Sequence, residues 1–178
     1  MSQQALYLIA ELRGYTPQIG RLVSMLNYTR ATTLQAVEGL GVLELDYVHD
    51  AQSNTIGALL AHIAAAEVGY QAATFEARVL NPEEAQQWGV ATNLGERART
   101  EIKGHELAHY LELLERVRTK TLAELAARDD RWLVETVTVK ETFVNHHWIW
   151  FHVFEDELNH RGQIRWLKAR AKAAERSA

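Results

Sequence analysis

Apolar residues recur every three and four positions in four long stretches of this chain, and each stretch predicts a helix with one buried stripe. The first stripe is Leu22, Met25, Leu26, Thr33, Leu34 and Val37; Thr16 stands as its N-cap, Pro17 takes the first helical position, and Gly39 and Gly41 end it. The stretch Val42 to Asp50 reads as a connector, extended or a short turn. Ser53, Asn54 and Thr55 offer caps for a second helix running from about Thr55 to Val79, with Ile56, Leu59, Leu60, Ile63, Ala66 and Tyr70 on its apolar face and Asn81-Pro82 as its stop. Between Pro82 and Gly104 the residues Gln86, Gln87, Trp88, Gly89, Asn93 and Gly95 follow neither period, so this is expected to be a long irregular connection with at most a turn of helix over Ala98 to Ile102. A third helix is predicted from about His105 to Arg128 on the stripe Leu107, Leu111, Leu114, Val117, Thr121 and Leu125, closed by Asp129-Asp130. Trp132 to Val139, rich in Val and Thr, is expected to form an extended strap or a short hairpin arm. The last helix, from about Glu141 to Ala173, is the longest and carries half of the eight histidines. Four such helices predict an all-α four-helix bundle, with residues 1–178 forming a single domain.

Composition narrows the chemistry. Nineteen Lys and Arg against 23 Asp and Glu give a net charge of −4, so no broad basic surface is available for nucleic acid. The absence of cysteine excludes disulfides, thiolate metal sites and a cysteine nucleophile, so any metal is held by His, Asp or Glu. The apolar run Ala5 to Ala10 is too short for a secretory segment and no stretch approaches a membrane span; a cytoplasmic protein is expected.

Asp156 and His160 lie four apart on the last helix, one turn, and so face nearly the same way. His152 is also four from Asp156 but eight from His160, roughly 12 Å along the axis, so all three cannot share one ion. Val153, Asp156, His160, Gln163 and Ile164 continue one stripe, which puts the Asp156/His160 pair at the edge of the buried face, where a carboxylate requires a partner. A third ligand is expected from a facing helix, and His62 qualifies because Leu59, His62, Ala66 and Gly69 form an apolar, small-residue face. Two imidazoles and one carboxylate would leave coordination positions open for water or substrate. Read singly, each residue has a plainer explanation: His62 as a satisfied core histidine, Asp156 with His160 as a hydrogen-bonded surface pair.

Ile56-Gly57-Ala58-Leu59-Leu60-Ala61-His62-Ile63-Ala64-Ala65-Ala66-Glu67, followed much later by His160-Arg161-Gly162-Gln163-Ile164, resembles the DinB superfamily of metalloenzymes over nearly the whole chain. The resemblance implies an up-down-down-up bundle, often dimeric, with a divalent ion held by a His on the second helix and two His four residues apart on the last. His62 matches the first of these and His160 the last; the middle position is Asp156, which keeps a ligand but shortens the reach and adds negative charge. The expected cofactor is therefore one divalent ion, with Zn, Ni, Fe and Mn undistinguished. The resemblance also implies a thiol S-transferase-like or hydrolase-like reaction on a small molecule, with a low-molecular-weight thiol as a partner, and a homodimer. Around the site, Gln163 could bond a substrate, Gly162 either admits a close approach or serves packing, and Glu67, about 140° round the helix from His62, is a candidate for a supporting hydrogen bond.

His105-Glu106-Leu107-Ala108-His109 is a literal H-E-x-x-H, which in zinc proteases supplies two ligands and a general base. Its face continues through Glu112, Arg116 and Lys120, a solvated stripe, and Glu115 stands where the longest version of the motif needs His. His146 and His147, with Trp148, Trp150 and Phe151, could wall a pocket near the site or serve core and dimer packing. A non-catalytic helical interaction protein is the reading that competes with the metal site.

Overall fold

The computed structural model describes residues 6–139 and 141–176; Ala5, the first residue of the short apolar run, lies outside them. The described residues are mostly helical. Helix α1 (Pro17–Val37) is followed by a single turn, α2 (Val42–Leu45), then α3 (Ile56–Phe75), α4 (Pro82–Asn93), α5 (Gly95–Glu101), α6 (Leu107–Ala126) and the short α7 (Asp130–Val134); strands β1 (Thr136–Val139) and β2 (Thr142–Asn145) lead into α8 (His146–Glu175). Among the long helices, α1 packs on α8 and α6, and α3 packs on α6 and α8. No helix among the described residues is long and apolar enough to cross a membrane.

Pro17 does open α1 and Thr16 does precede it, but the Thr16 hydroxyl does not cap the helix. It donates to Asp130 at the start of α7, and the same carboxylate accepts the amides of Gln18 at 3.0 Å and Ile19 at 3.1 Å. The free N–H groups of α1 are thus satisfied by a residue more than a hundred positions away. Thr55 caps α3 by accepting from the Ala58 amide at 3.1 Å.

The expectation of an irregular connection between Pro82 and Gly104 is overturned by α4 and α5. Asn81-Pro82 is a start as well as a stop. The Asn81 side chain accepts the Glu84 amide at 2.9 Å, the Glu84 carboxylate accepts the Asn81 amide at 2.9 Å, and Pro82 sits where its missing N–H is harmless. The ends of the long helices also differ from expectation: α3 stops at Phe75 and α6 begins at Leu107. Helix α8 begins five residues later than predicted, because Thr142–Asn145 pair antiparallel with β1 (Val137 opposite Val144), and Asn145 then caps it through the Trp148 amide at 2.8 Å.

Two apolar clusters lie along the helices. One gathers Leu59, Leu60, Ile63, Leu114, Ile164 and Leu167; the other gathers Leu22, Leu26, Leu125, Ile149, Trp150 and Val153. Between them in sequence on α1, α6 and α8 comes a charged layer to which each long helix contributes one member. Arg30 of α1 bonds Glu157 of α8 (Nε–Oε1 2.9 Å) and Glu67 of α3 (3.2 Å), and Arg118 of α6 bonds Glu67 (Nε–Oε1 2.7 Å) and Glu157 (3.2 Å). Both carboxylates are fully buried. Thr121 and the carbonyls of Leu26 and Leu114 take up the remaining bonding capacity. At Gly57 the α3 backbone packs directly on a side chain of α6: a Cβ there would lie 2.8 Å from Cζ of the buried Tyr110.

Candidate metal centre

His62 projects from α3, and Asp156 and His160 from the middle of α8. The two helices cross so that one ligand-capable atom from each of the three lies within 4.8 Å of the others. His62 Nε2 is 3.7 Å from Asp156 Oδ2, His160 Nε2 is 3.3 Å from Asp156 Oδ1, and the two imidazole rings meet edge to face with centroids 4.7 Å apart. The carboxylate stands between two imidazoles, one helical turn from the first and across the helix interface from the second. All three side chains are largely buried but keep a margin of solvent contact, Asp156 the most at 23%.

The tautomer of His62 is set from α4. Its Nδ1 lies 2.9 Å from the Ala91 carbonyl, which accepts only if that nitrogen carries the proton, and so Nε2 faces Asp156 with a free lone pair. The segment expected to be irregular is what orients this histidine. Burial lowers the pKa of His62, with the nearby His160 acting in the same direction and the Ala91 bond and Asp156 opposing, so the ring is neutral at neutral pH. For Asp156, burial resists ionisation, but the His160 hydrogen bond and the charges of His160, His62 and His152 prevail and hold the carboxyl below its ordinary value. The cluster therefore offers two nitrogen donors and an anionic oxygen. His160 Nδ1 is buried and has no hydrogen-bond partner among the described residues, so its tautomer is not committed elsewhere. This donor set fits a divalent cation, which would offset the buried carboxylate charge.

Of the neighbouring candidates, Glu67 and His146 have other partners. Gln163 lies exposed one turn beyond His160, on the lip of a groove. Glu67 does not support His62: its carboxylate is taken by Arg118, Arg30 and Thr121. His146 is not at the site either. It sits at the first turn of α8, fourteen residues from His160 or about 21 Å along the axis; there it stacks on Trp132 at 4.1 Å and bonds the Trp132 carbonyl through Nδ1 at 2.8 Å. His152 turns to Glu155 (2.8 Å) and stacks on Trp148. Of the aromatics, Trp150 is core, while Trp148 and Phe151 remain 46% and 45% exposed.

The H-E-x-x-H segment departs from the zinc-protease pattern, which needs the whole motif on one helix: His105 precedes α6 and Glu106 is its N-cap residue. Their exposed rings stack at 4.1 Å, and no third His or carboxylate joins them among the described residues. The charged layer was not foreseen. Its signal was present in Glu67, flanked by Ala64, Ala65 and Val68, and in Glu157, which shares the stripe of Val153, Phe154 and Ile164; a charge on an apolar stripe needs a buried counterion.

A largely helical protein with a candidate two-histidine, one-aspartate metal site between two of its long helices is the class that fold and cluster define. The model of the mycothiol-S-transferase family matches residues 21–173, and the chain belongs to that family, a branch of the DinB/YfiT-like superfamily. The superfamily resemblance read from the His62 and His160 motifs therefore holds. No curated protein matches the chain.

Proposed function

We propose that this protein is a metal-dependent thiol S-transferase acting on a small molecule, with His62, Asp156 and His160 as the ligands of one divalent ion. The observation that carries the reading is the convergence of three ligand atoms from α3 and α8 within 4.8 Å, in a chain of the mycothiol-S-transferase family. When bound, a divalent ion supplies Lewis acidity that makes a thiol or water reactive near neutral pH. The chain's own residues do the rest. His62 is fixed by Ala91 with a neutral nitrogen toward the cluster, Asp156 contributes negative charge that draws a cation, and three protein ligands leave positions for substrate. The scaffold in this reading is one domain in which α1, α3, α6 and α8 form an up-down-down-up bundle. The half-exposed Trp148 and Phe151 on α8 support pairing of two copies, and the activity is assigned to the cytoplasm, where a small thiol is kept reduced.

The test is metal analysis of the purified protein beside its His62→Ala variant. One equivalent of a divalent metal in the parent, reduced at least tenfold in a folded variant, is the expected result. A metal-free parent that stays metal-free after incubation with Zn, Ni, Fe and Mn refutes the reading.

A further inference from the structure

At the start of α6 the chain brings two exposed imidazoles together and gives neither a hydrogen bond. Gly104 takes a left-handed turn (φ +77°) that a side chain would strain, and its amide donates to the Asp46 carboxylate at the end of α2, at 2.7 Å. His105 is thereby fixed one residue before the N-cap position of Glu106, and its ring lies parallel to that of His109 in the first turn, with 4.1 Å between centroids and 14° between planes. The buried Tyr110 ring meets both of them edge to face, at 6.0 and 5.2 Å. None of the four ring nitrogens has a hydrogen-bond partner among the described residues.

Burial lowers the pKa of His109, the charges of His105 and Arg116 act the same way and Glu112 opposes them, so this ring is neutral at neutral pH and its lone pair is free. A lone pair lies in the plane of its ring. Two parallel rings in contact can therefore turn one nitrogen each to the same side, and a modest tilt brings both to the roughly 2.0–2.1 Å at which imidazole binds zinc. The N-terminus of α6 carries positive partial charge, which opposes a cation as it opposes a proton. Attraction by charge alone is weak here, and binding has to come from nitrogen donation. Cu, Ni and Zn are held that way, whereas Mg and Ca take oxygen ligands. Helix α6 also begins without a side-chain cap, so its first turn lacks the tie that Thr55 supplies to α3.

We propose that His105 and His109 form a second metal site, a solvent-open pair of nitrogen ligands for a late first-row divalent ion that clips the residue before α6 to its first turn. The site shares no residue with the His62, Asp156 and His160 cluster and does not rest on the transferase reading. With two protein ligands the ion exchanges readily and is removed by desalting, so it adds nothing to the metal that purified protein retains.

The test titrates zinc, and separately magnesium, into metal-free parent and metal-free His62→Ala protein while the imidazole resonances are followed by NMR. His49, an exposed histidine whose ring neighbours are Tyr47 and Trp166, serves as the single-ligand reference. His105 and His109 should titrate together with zinc, at least tenfold more tightly than His49, because the second imidazole joins without a second encounter. The same shifts should persist in His62→Ala, and magnesium should leave them unmoved. His105→Gln and His109→Gln, both at exposed positions, should each reduce the remaining histidine to the affinity of His49. Zinc should also slow hydrogen exchange of the His109 amide at least threefold in the parent and leave it unchanged in His105→Gln, since an ion that binds only the formed turn holds it closed. Binding no tighter than at His49, a His105 signal that titrates as in the parent in His109→Gln, equal shifts with magnesium, or exchange that zinc does not slow overturns the proposal. Zinc at this pair with none at the His62 and His160 signals refutes the transferase reading and leaves the surface site standing; zinc at the cluster alone does the opposite.

Discussion

Replacing Arg118 by Met tests the charged layer most directly, because the substitution keeps a long side chain and removes one of two buried cations. In the parent, Arg118 donates to Glu67 at 2.7 and 3.1 Å, to Glu157 at 3.2 Å and to the Leu26 carbonyl at 3.0 Å. Burial works against its charge, but Glu67 and Glu157 hold its pKa above the ordinary arginine value. In the variant two fully buried carboxylates share Arg30 alone. Removing one partner of a buried pair costs about 3–5 kcal/mol, and at about 2–4 °C per kcal/mol for a chain of this size the melting temperature should fall by roughly 6–20 °C. Urea unfolding at several pH values supplies a second, independent reading. In the parent, burial opposes ionisation of Glu67 but Arg118 and Arg30 depress its pKa overall, so its contribution is complete above the unfolded value near about 4.3 and is lost as pH falls through the folded value. In the variant one carboxyl of the crowded pair is raised above the unfolded value, so acidification from pH 7 toward 5 should restore stability while the parent stays flat. A variant within about 1 kcal/mol of the parent, or one that responds to acid with the parent's sign, would show that the four charges are not energetically coupled.

Two other substitutions probe how the helices are held. Gly57→Ala drives a methyl group against the ring of Tyr110 and should cost about 1–3 kcal/mol in urea unfolding; adding Tyr110→Phe should recover part of that loss, and an undiminished deficit in the double variant would mean that the tyrosine oxygen is not the obstacle. Asp130→Ala strips the start of α1 of the acceptor for Gln18 and Ile19 and should lower stability by about 0.5–2 kcal/mol, measured by circular dichroism melts at pH 7. Burial opposes the Asp130 charge, yet Thr16 and the two amides hold its pKa low; the difference from parent is therefore complete above about pH 3.9 and should shrink as pH falls below it.

The long helices were legible because a stripe of period 3.6 survives even where individual positions do not follow it: Leu34 is half exposed, yet Leu22, Leu26 and Val37 are fully buried. Helices α4 and α5 escaped because their polar sequences carry no strong stripe and because Asn81-Pro82 was weighed only as an ending, although Glu84 three residues after Asn81 completes a capping box. At the site, Asp156 and His160 were readable from helix geometry, and His62 from the small-residue face around it. What spacing could not show was Ala91, since a backbone carbonyl has no signature in sequence, and it is this carbonyl that sets the His62 tautomer. His146 was misplaced on its face alone, although the rise of the one helix that carries it and His160 already separates the two, and Glu67 because its own helix gives no sign of the arginines that α1 and α6 bring to it.

The one-per-helix arrangement of Arg30, Glu67, Arg118 and Glu157 also bears on how the chain is made. During synthesis the first three emerge with two cations and a single anion among them, a set that cannot leave water without stranding a charge. The balancing carboxylate arrives only with α8. A nascent chain of this protein should therefore stay open until its final long helix is available, and a ribosome stalled before residue 157 should display a protease-sensitive product.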